Sequence, residues 1–291
     1  MTNFRRATVL LPLLCLLAGV TAAQAAPPKA AASTQKPDVR SKAVLVLDRS
    51  NGAVVYSRGA DVAAPIASIT KLMTALVVLD GQQPMDEVIE IVPADKARTQ
   101  GNASRLQVGA KLTRQELLNL ALMSSENRAA QALGRSYPGG ETAFVRTMNV
   151  KARALGMTKT RFADPTGLSE DNVASASDLA KLVTAAGKNP VIREFSTSEA
   201  RVVTVGRQKV EFRNTNPLVR DPNWDIAVQK TGHIAAAGQC LVLQARIDGR
   251  PMVIVLLNSV GKYTRVADAR RIRQWMAART IVHSRSVTAS R

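Results

Sequence analysis

The sequence is poor in aromatic residues, cysteine and histidine. Aromatics make up 3% of its 291 residues, which excludes broad base-stacking platforms of the kind that bind single strands. Two cysteines, Cys15 and Cys240, exclude a disulfide-stapled mini-domain and a thiol-clustered zinc site. Only His233 and His283 are available to a Ser-His-Asp triad or a metal hydrolase, and neither lies in a cluster of acids. Acid is scarce against base, with 22 Asp+Glu to 40 Lys+Arg and a net charge of +18. Such a chain works near polyanions or tolerates them. The cations are spread along the sequence, with a modest cluster at Arg270, Arg271, Arg273 and Arg279. No nucleic-acid motif accompanies them. The charge therefore reads as a general attraction to polyanions that weakens with salt, with nothing that marks nucleic acid as the partner.

What is present is ordinary for a globular protein: 46% hydrophobic and 21% charged residues, enough to bury a sizeable core. Arg5 and Arg6 precede an apolar run, Ala7 to Val20, and a small-x-small site, Ala23-Gln24-Ala25. The run is short of the roughly 20 residues that span a bilayer, so residues 1–25 read as a cleaved secretory signal peptide. Residues 26–40, rich in Ala, Pro and Lys, read as a flexible tether. Once the signal is removed only Cys240 remains, in an apolar stretch where it reads as a buried small hydrophobe.

Two short apolar runs, Ala43 to Asp48 and Ala53 to Ser57, flank Asn51-Gly52 and predict a hairpin. Ser68 to Leu79 is apolar on almost every side and predicts a central buried helix. Thr113-Arg114-Gln115-Glu116 is a capping box that opens a helix, a break at 123–127 and a second helix. Residues 141–155 and 177–186 predict further helices, the second opened by Ser177-Asp178. Ile226 to Lys230, Cys240 to Ile247 and Met252 to Leu257 read as strands, and Val266 to Ala278 as a closing helix. Strands first and last with helices between predict an α+β fold on a mainly antiparallel sheet. The first hairpin and the last strands must meet for either to bury its faces.

Ser68-Ile69-Thr70-Lys71 is a Ser-x-x-Lys at a helix start. A serine hydroxyl needs a base beside it, and a lysine three residues on can supply one if burial or a second cation strips its proton. The spacing alone is weak, because Ser33 to Lys36 and Ser259 to Lys262 share it without a long helix. Two further motifs add weight. Ser125-Glu126-Asn127 is the only Ser-x-Asn and falls in the break between two helices. Lys230-Thr231-Gly232 is the only Lys-Thr-Gly and is placed at a strand end. Its Lys suits a substrate carboxylate, and its Gly lets a substrate backbone lie close to the strand.

Ser-x-x-Lys, Ser-x-Asn and Lys-Thr-Gly in that order resemble the active-site set of penicillin-binding proteins and serine β-lactamases. The stretches 65–74, 123–130, 162–168 and 230–233 resemble the low-molecular-mass D-Ala-D-Ala peptidases over about residues 41–278. Ser124-Ser125-Glu126-Asn127-Arg128 looks most like the endopeptidase branch, since the carboxypeptidase branch more often has Ser-Gly-Asn. That resemblance implies a β-lactamase/transpeptidase-like fold, an antiparallel sheet flanked by helices with a helical subdomain, over residues 41–280, and a basic tail at 281–291. It implies Ser68 as nucleophile, Lys71 as its base and Ser125 as proton relay. It assigns substrate binding to Asn127, Lys230, Thr231 and Gly232, and an oxyanion hole to the backbone N–H groups of Ser68 and His233. No metal or cofactor is implied. The expected partners are peptidoglycan peptides and, as covalent inhibitors, β-lactam antibiotics, with peripheral membrane contact left open and the periplasm as the place of work. Endopeptidase and carboxypeptidase share these motifs. A class A β-lactamase is disfavoured because Ser169-Glu170-Asp171-Asn172 lacks the Glu-x-x-Leu-Asn pattern. A non-catalytic wall-binding module is the remaining reading.

Overall fold

The computed structural model describes residues 36–99 and 104–288. The expected signal peptide, residues 1–25, and the tether up to residue 35 lie outside the described residues. In chain order the strands are β1 (Ala43–Asp48), β2 (Val54–Arg58), β3 (Ala64–Pro65), β4 (Val88–Glu90), β5 (Lys111–Thr113), β6 (Val173–Ala174), β7 (Ala200–Val205), β8 (Gln208–Arg213), β9 (Asp225–Ile234), β10 (Gly238–Ile247) and β11 (Arg250–Ser259). The helices are α1 (Lys71–Asp80), α2 (Pro93–Arg98), α3 (Arg114–Met123), α4 (Asn127–Arg135), α5 (Gly140–Ala154), α6 (Ala176–Ala186), α7 (Pro190–Thr197) and α8 (Thr264–Thr288). The main sheet has the order β2-β1-β11-β10-β9 and is antiparallel throughout, so the first hairpin does pair with the last strands.

Both faces of this sheet are covered, which is why its strands read as unbroken apolar runs. Side chains alternate across a strand. Val44, Val46, Leu241, Leu243, Ile254 and Leu256 pack on one face with Val266, Ala269 and Ile272 of α8. Leu45, Val242, Val253 and Val255 face the other way, into the helical core. There α1 is buried from Leu72 to Val78, so it carries no polar stripe. Each fully buried Leu or Val contributes about 1.5–3 kcal/mol, and α1 is the element that most of the helices surround.

Several expectations shift. Ser68 lies in a 3-10 turn, Ala67–Thr70, and the α-helix begins at Lys71. Helix α6 is capped by Ser175, whose hydroxyl accepts from the Asp178 N–H, and not by Ser177. Lys230-Thr231-Gly232 sits inside β9 and does not end it, because the ladder to β10 continues to Ile234. Packing begins before residue 41: Val39 is buried, and the Arg40 N–H donates to Asp268. Helix α8 continues past Ala278 into the stretch expected to be a tail. The β7–β8 hairpin was not anticipated, although Val202 to Gly206 carries its signal. Among the described residues no helix is long and apolar enough to cross a membrane.

Candidate active site

Ala67 has a positive φ of 50°, which delays the start of the α-helix to Lys71 and turns Ser68 toward the cleft. The loop after Asp164 holds this conformation. A Cβ on Gly167 would overlap the Ala67 carbonyl, so only glycine fits. Lys71 is fully buried, and its Nζ has three neighbours. It lies 2.8 Å from Ser68 Oγ and donates to Asn127 Oδ1 at 2.7 Å and to the Thr166 carbonyl at 2.7 Å. A neutral amine has two N–H groups and one lone pair. With both hydrogens directed at the two carbonyl acceptors, the lone pair faces Ser68 Oγ. Burial pulls the Lys71 pKa down to about 7, against the opposing pull of the Asp164 and Glu126 carboxylates. The amine is therefore free as a base near neutrality.

The 123–127 break forms as expected. Thr113 and Glu116 make the complete capping box of α3, worth about 1 kcal/mol. After Met123 the chain turns through Ser125, which has a φ of 61°. Glu126 caps α4 by accepting from the Arg128 N–H. This leaves the Asn127 side chain for Lys71, and Ser125 points across the cleft, its Oγ 2.8 Å from Lys230 Nζ. A non-glycine residue in the left-handed region costs of order 1–3 kcal/mol. Two such residues, Ala67 and Ser125, flank the cleft.

Lys230 is also fully buried, and its Nζ donates to the Thr231 carbonyl at 2.9 Å. Burial, then Lys71, then Arg265 hold its pKa well below the usual ammonium range. A Cβ on Gly232 would stand 2.9 Å from the Ile66 carbonyl and 3.1 Å from the Ser68 nitrogen, so glycine is what allows β9 to pass beside the serine turn. The His233 side chain is exposed, with Nδ1 3.2 Å from the Gly238 carbonyl. Ser68, Lys71 and Asn127 thus form one hydrogen-bonded set and Ser125 and Lys230 a second, across one cleft from Gly232.

Three further groups to which the sequence assigned no role stand at the site, although Asp164 lies in the 162–168 stretch. Arg265 on α8 donates to the carbonyls of Gly232 at 2.7 Å and Cys240 at 3.2 Å. Its neighbours in sequence mark it only as one more cation of an Arg-rich helix. Thr215 Oγ1 lies 2.6 Å from Thr231 Oγ1. Asp164 accepts from the N–H groups of Gly167 and Ser169, from the Thr166 hydroxyl and from Asn172 Nδ2, all within 2.8 Å. Desolvation pushes the Asp164 pKa up, but these hydrogen bonds outweigh it and hold the pKa below the usual carboxylate value. The loop they fix carries the Thr166 carbonyl to Lys71. Among the described residues no group of three or more His, Cys, Asp or Glu is placed to hold a metal ion. Burial pushes the Cys240 thiol up to about 11, in keeping with a packing role.

Residues 30–261 match the peptidase S11 family, described as D-alanyl-D-alanine carboxypeptidase. A D-alanyl-D-alanine endopeptidase of Pseudomonas aeruginosa is 45% identical over 269 residues, covering 92% of this chain and 87% of its own length. A D-alanyl-D-alanine endopeptidase of Escherichia coli (strain K12) is 44% identical over 270 residues, with the same coverage of 92% and 87%. Among solved structures, the Streptomyces K15 DD-transpeptidase superposes with a TM-score of 0.77 at 29% identity, over 83% of this chain and 98% of that one. With the family match spanning most of its length, this chain belongs to the S11 peptidases, the D-alanyl-D-alanine carboxypeptidase family.

Proposed function

We propose that the protein is a serine D,D-endopeptidase that hydrolyses D-alanyl-meso-diaminopimelate cross-links of peptidoglycan through an acyl-enzyme on Ser68. The observation that carries this reading is the Lys71 amine, buried and 2.8 Å from Ser68 Oγ. Ser68 Oγ attacks the D-alanine carbonyl carbon, and Lys71 takes its proton. The resulting oxyanion is held by the backbone N–H groups of Ser68 and His233, a contribution of about 3 kcal/mol per donor in comparable holes. The C–N bond then breaks. The leaving amine takes the Ser125 hydroxyl proton, which is replaced by the proton Lys71 removed from Ser68, so that Lys71 is neutral again; Lys230 is the other neighbour of that hydroxyl. Asn127 Oδ1 is engaged by Lys71, which leaves Nδ2 to donate to the acyl peptide. Lys230 and Thr231 bind the carboxylate on the leaving D-centre, beside Gly232. Water then attacks the ester and frees Ser68. A β-lactam acylates the same serine, but its leaving nitrogen stays tethered in the cleft.

Endopeptidase is favoured over carboxypeptidase because the relatives at 44 and 45% identity both carry that name and because Glu126 replaces the glycine of Ser-Gly-Asn. The catalytic domain, expected over residues 41–280, takes in Val39 and Arg40 at its start and the rest of α8 at its end, and a signal peptide delivers it to the periplasm. The basic surface suits an anionic wall and allows peripheral contact with membrane lipid.

Digestion of purified peptidoglycan, with the products resolved by liquid chromatography and mass spectrometry, tests this directly. Cross-linked dimers are expected to fall as monomers rise, and Ser68→Ala is expected to abolish both this turnover and penicillin labelling. Intact dimers with pentapeptides shortened by one D-alanine mean a carboxypeptidase. Labelling retained in Ser68→Ala removes Ser68 as nucleophile.

A further inference from the structure

We infer that Thr215 is a positioning residue for substrate binding: its hydroxyl donates to Thr231 and thereby directs the Thr231 proton to the carboxylate on the leaving side of the substrate. This rests on the reading that Lys-Thr-Gly receives that carboxylate.

Two hydroxyls 2.6 Å apart share one hydrogen bond, and one of their two protons is left over. Thr231 is only 4% exposed, whereas Thr215 is an exposed residue. An exposed threonine has water for its hydroxyl on every open side, yet this one is turned inward to the buried Thr231. If Thr215 donates inward, Thr231 cannot spend its proton on Thr215 and keeps it for the cleft. A hydroxyl that is itself accepting a hydrogen bond is also a stronger donor.

The backbone around Thr215 is built to hold this contact. The Thr215 N–H donates to the Met123 carbonyl, two residues before Ser125. Asn214 is buried and donates to the carbonyls of Ser196 and Ser198 on one side. Its Oδ1 accepts from Gln229 of β9 at 3.0 Å. Gln229 and Thr231, two apart on one strand, therefore meet successive residues of the same segment. The segment joins the Ser-x-Asn break to the Lys-Thr-Gly strand, and Thr215 is its one side chain that reaches the substrate-binding threonine.

The test compares acylation rates of Thr215→Val and Thr215→Ser with the unaltered protein, using a fluorescent penicillin and the methyl ester of the same penicillin. Valine keeps the shape and removes the hydroxyl, while serine keeps the hydroxyl. The expected result for Thr215→Val is a loss of about tenfold or more with the free carboxylate, the size of a misdirected hydrogen bond to a charged group. Thr215→Ser should restore the rate to within about threefold, on the same criterion. With the ester, measured at concentrations that label the unaltered protein, Thr215→Val should change the rate less than about twofold, because no charge is there to receive the proton. An undiminished rate with the free carboxylate overturns the inference. So does an equal loss for acid and ester, or a failure of serine to rescue, since each points to a staple for the loop and no more. Labelling of the unaltered protein on Ser68 tests the enzymatic reading separately from these ratios.

Discussion

In the proposed mechanism Lys71 serves as a base only in the fraction of molecules whose amine has lost its proton. With its pKa at about 7, that fraction grows through neutrality and saturates above it. Penicillin acylation is therefore expected to rise with pH through about 7 and then level off, and Lys71→Arg should abolish it, because a guanidinium keeps its proton. A flat profile from pH 5.5 to 9 would remove Lys71 as the base. The same shift acts on stability with a definite sign. The unfolded lysine has a pKa of about 10.4, so between roughly pH 7 and 10 the unfolded chain binds more protons than the folded one. Stability gains as pH rises across that window, and the buried ammonium is most costly below it. Of the two agents the sequence allowed, burial or a second cation, burial is the one that acts on Lys71. Burial is the leading influence on both lysines; the charge of Lys71 adds to it at Lys230, and at Lys71 it is opposed only by the Asp164 and Glu126 carboxylates.

At the scale of elements, the site depends on how closely β9 passes the serine turn. Gly232→Ala would place a methyl group 2.9 Å from the Ile66 carbonyl, a distance that backbone must move to relieve. Overpacking of this kind costs about 1–3 kcal/mol, and moving the strand would displace the oxyanion donor proposed at His233. The variant is expected to fold, to melt a few degrees lower, and to acylate about a hundredfold more slowly, as loss of one donor does elsewhere. Acylation at the unaltered rate would mean that the strand and turn are not the hole. What was readable in the sequence follows the range of the forces concerned. The capping box at Thr113 and Glu116 is local and appears where it was read. The sheet strands are buried on both faces, so their apolar runs were plain. The delayed start of α1 goes with the positive φ of Ala67, whose carbonyl packs where a Cβ on Gly167 would be, about a hundred residues away, which no local pattern encodes. Lys230 to Gly232 looked like a strand end because their polarity hides a place inside the ladder that only β10 reveals. Arg265 and Thr215 were missed because each is defined by a partner distant in sequence.

At the scale of the whole molecule, the chain closes on itself. β1 pairs with β11, and α8 covers the face that both strands share, so the sheet is complete only when the first and last segments have met. Such long-range pairing folds slowly. The junction of these segments is Asp268, a fully buried carboxylate on α8. It accepts from the N–H groups of Arg40 and Ser41, from the Ser41 hydroxyl at 2.6 Å and from Arg271 at 2.7 Å. Ser259, which shares the spacing of the serine motif without its chemistry, closes the same knot, with its hydroxyl 2.6 Å from that of Ser41. Asp268→Ala would strand buried donors on two segments at once, at a cost of about 2–4 kcal/mol. For a domain of this size that corresponds to a fall in melting temperature of about 5–10 °C. The cleft motifs Ser68, Ser125 and Lys230 make no direct contact with this carboxylate, so penicillin labelling at 25 °C should persist while calorimetry registers the loss. A melting temperature within about 1 °C of the unaltered protein, on the same scale, would show that the chain ends are held together without this carboxylate.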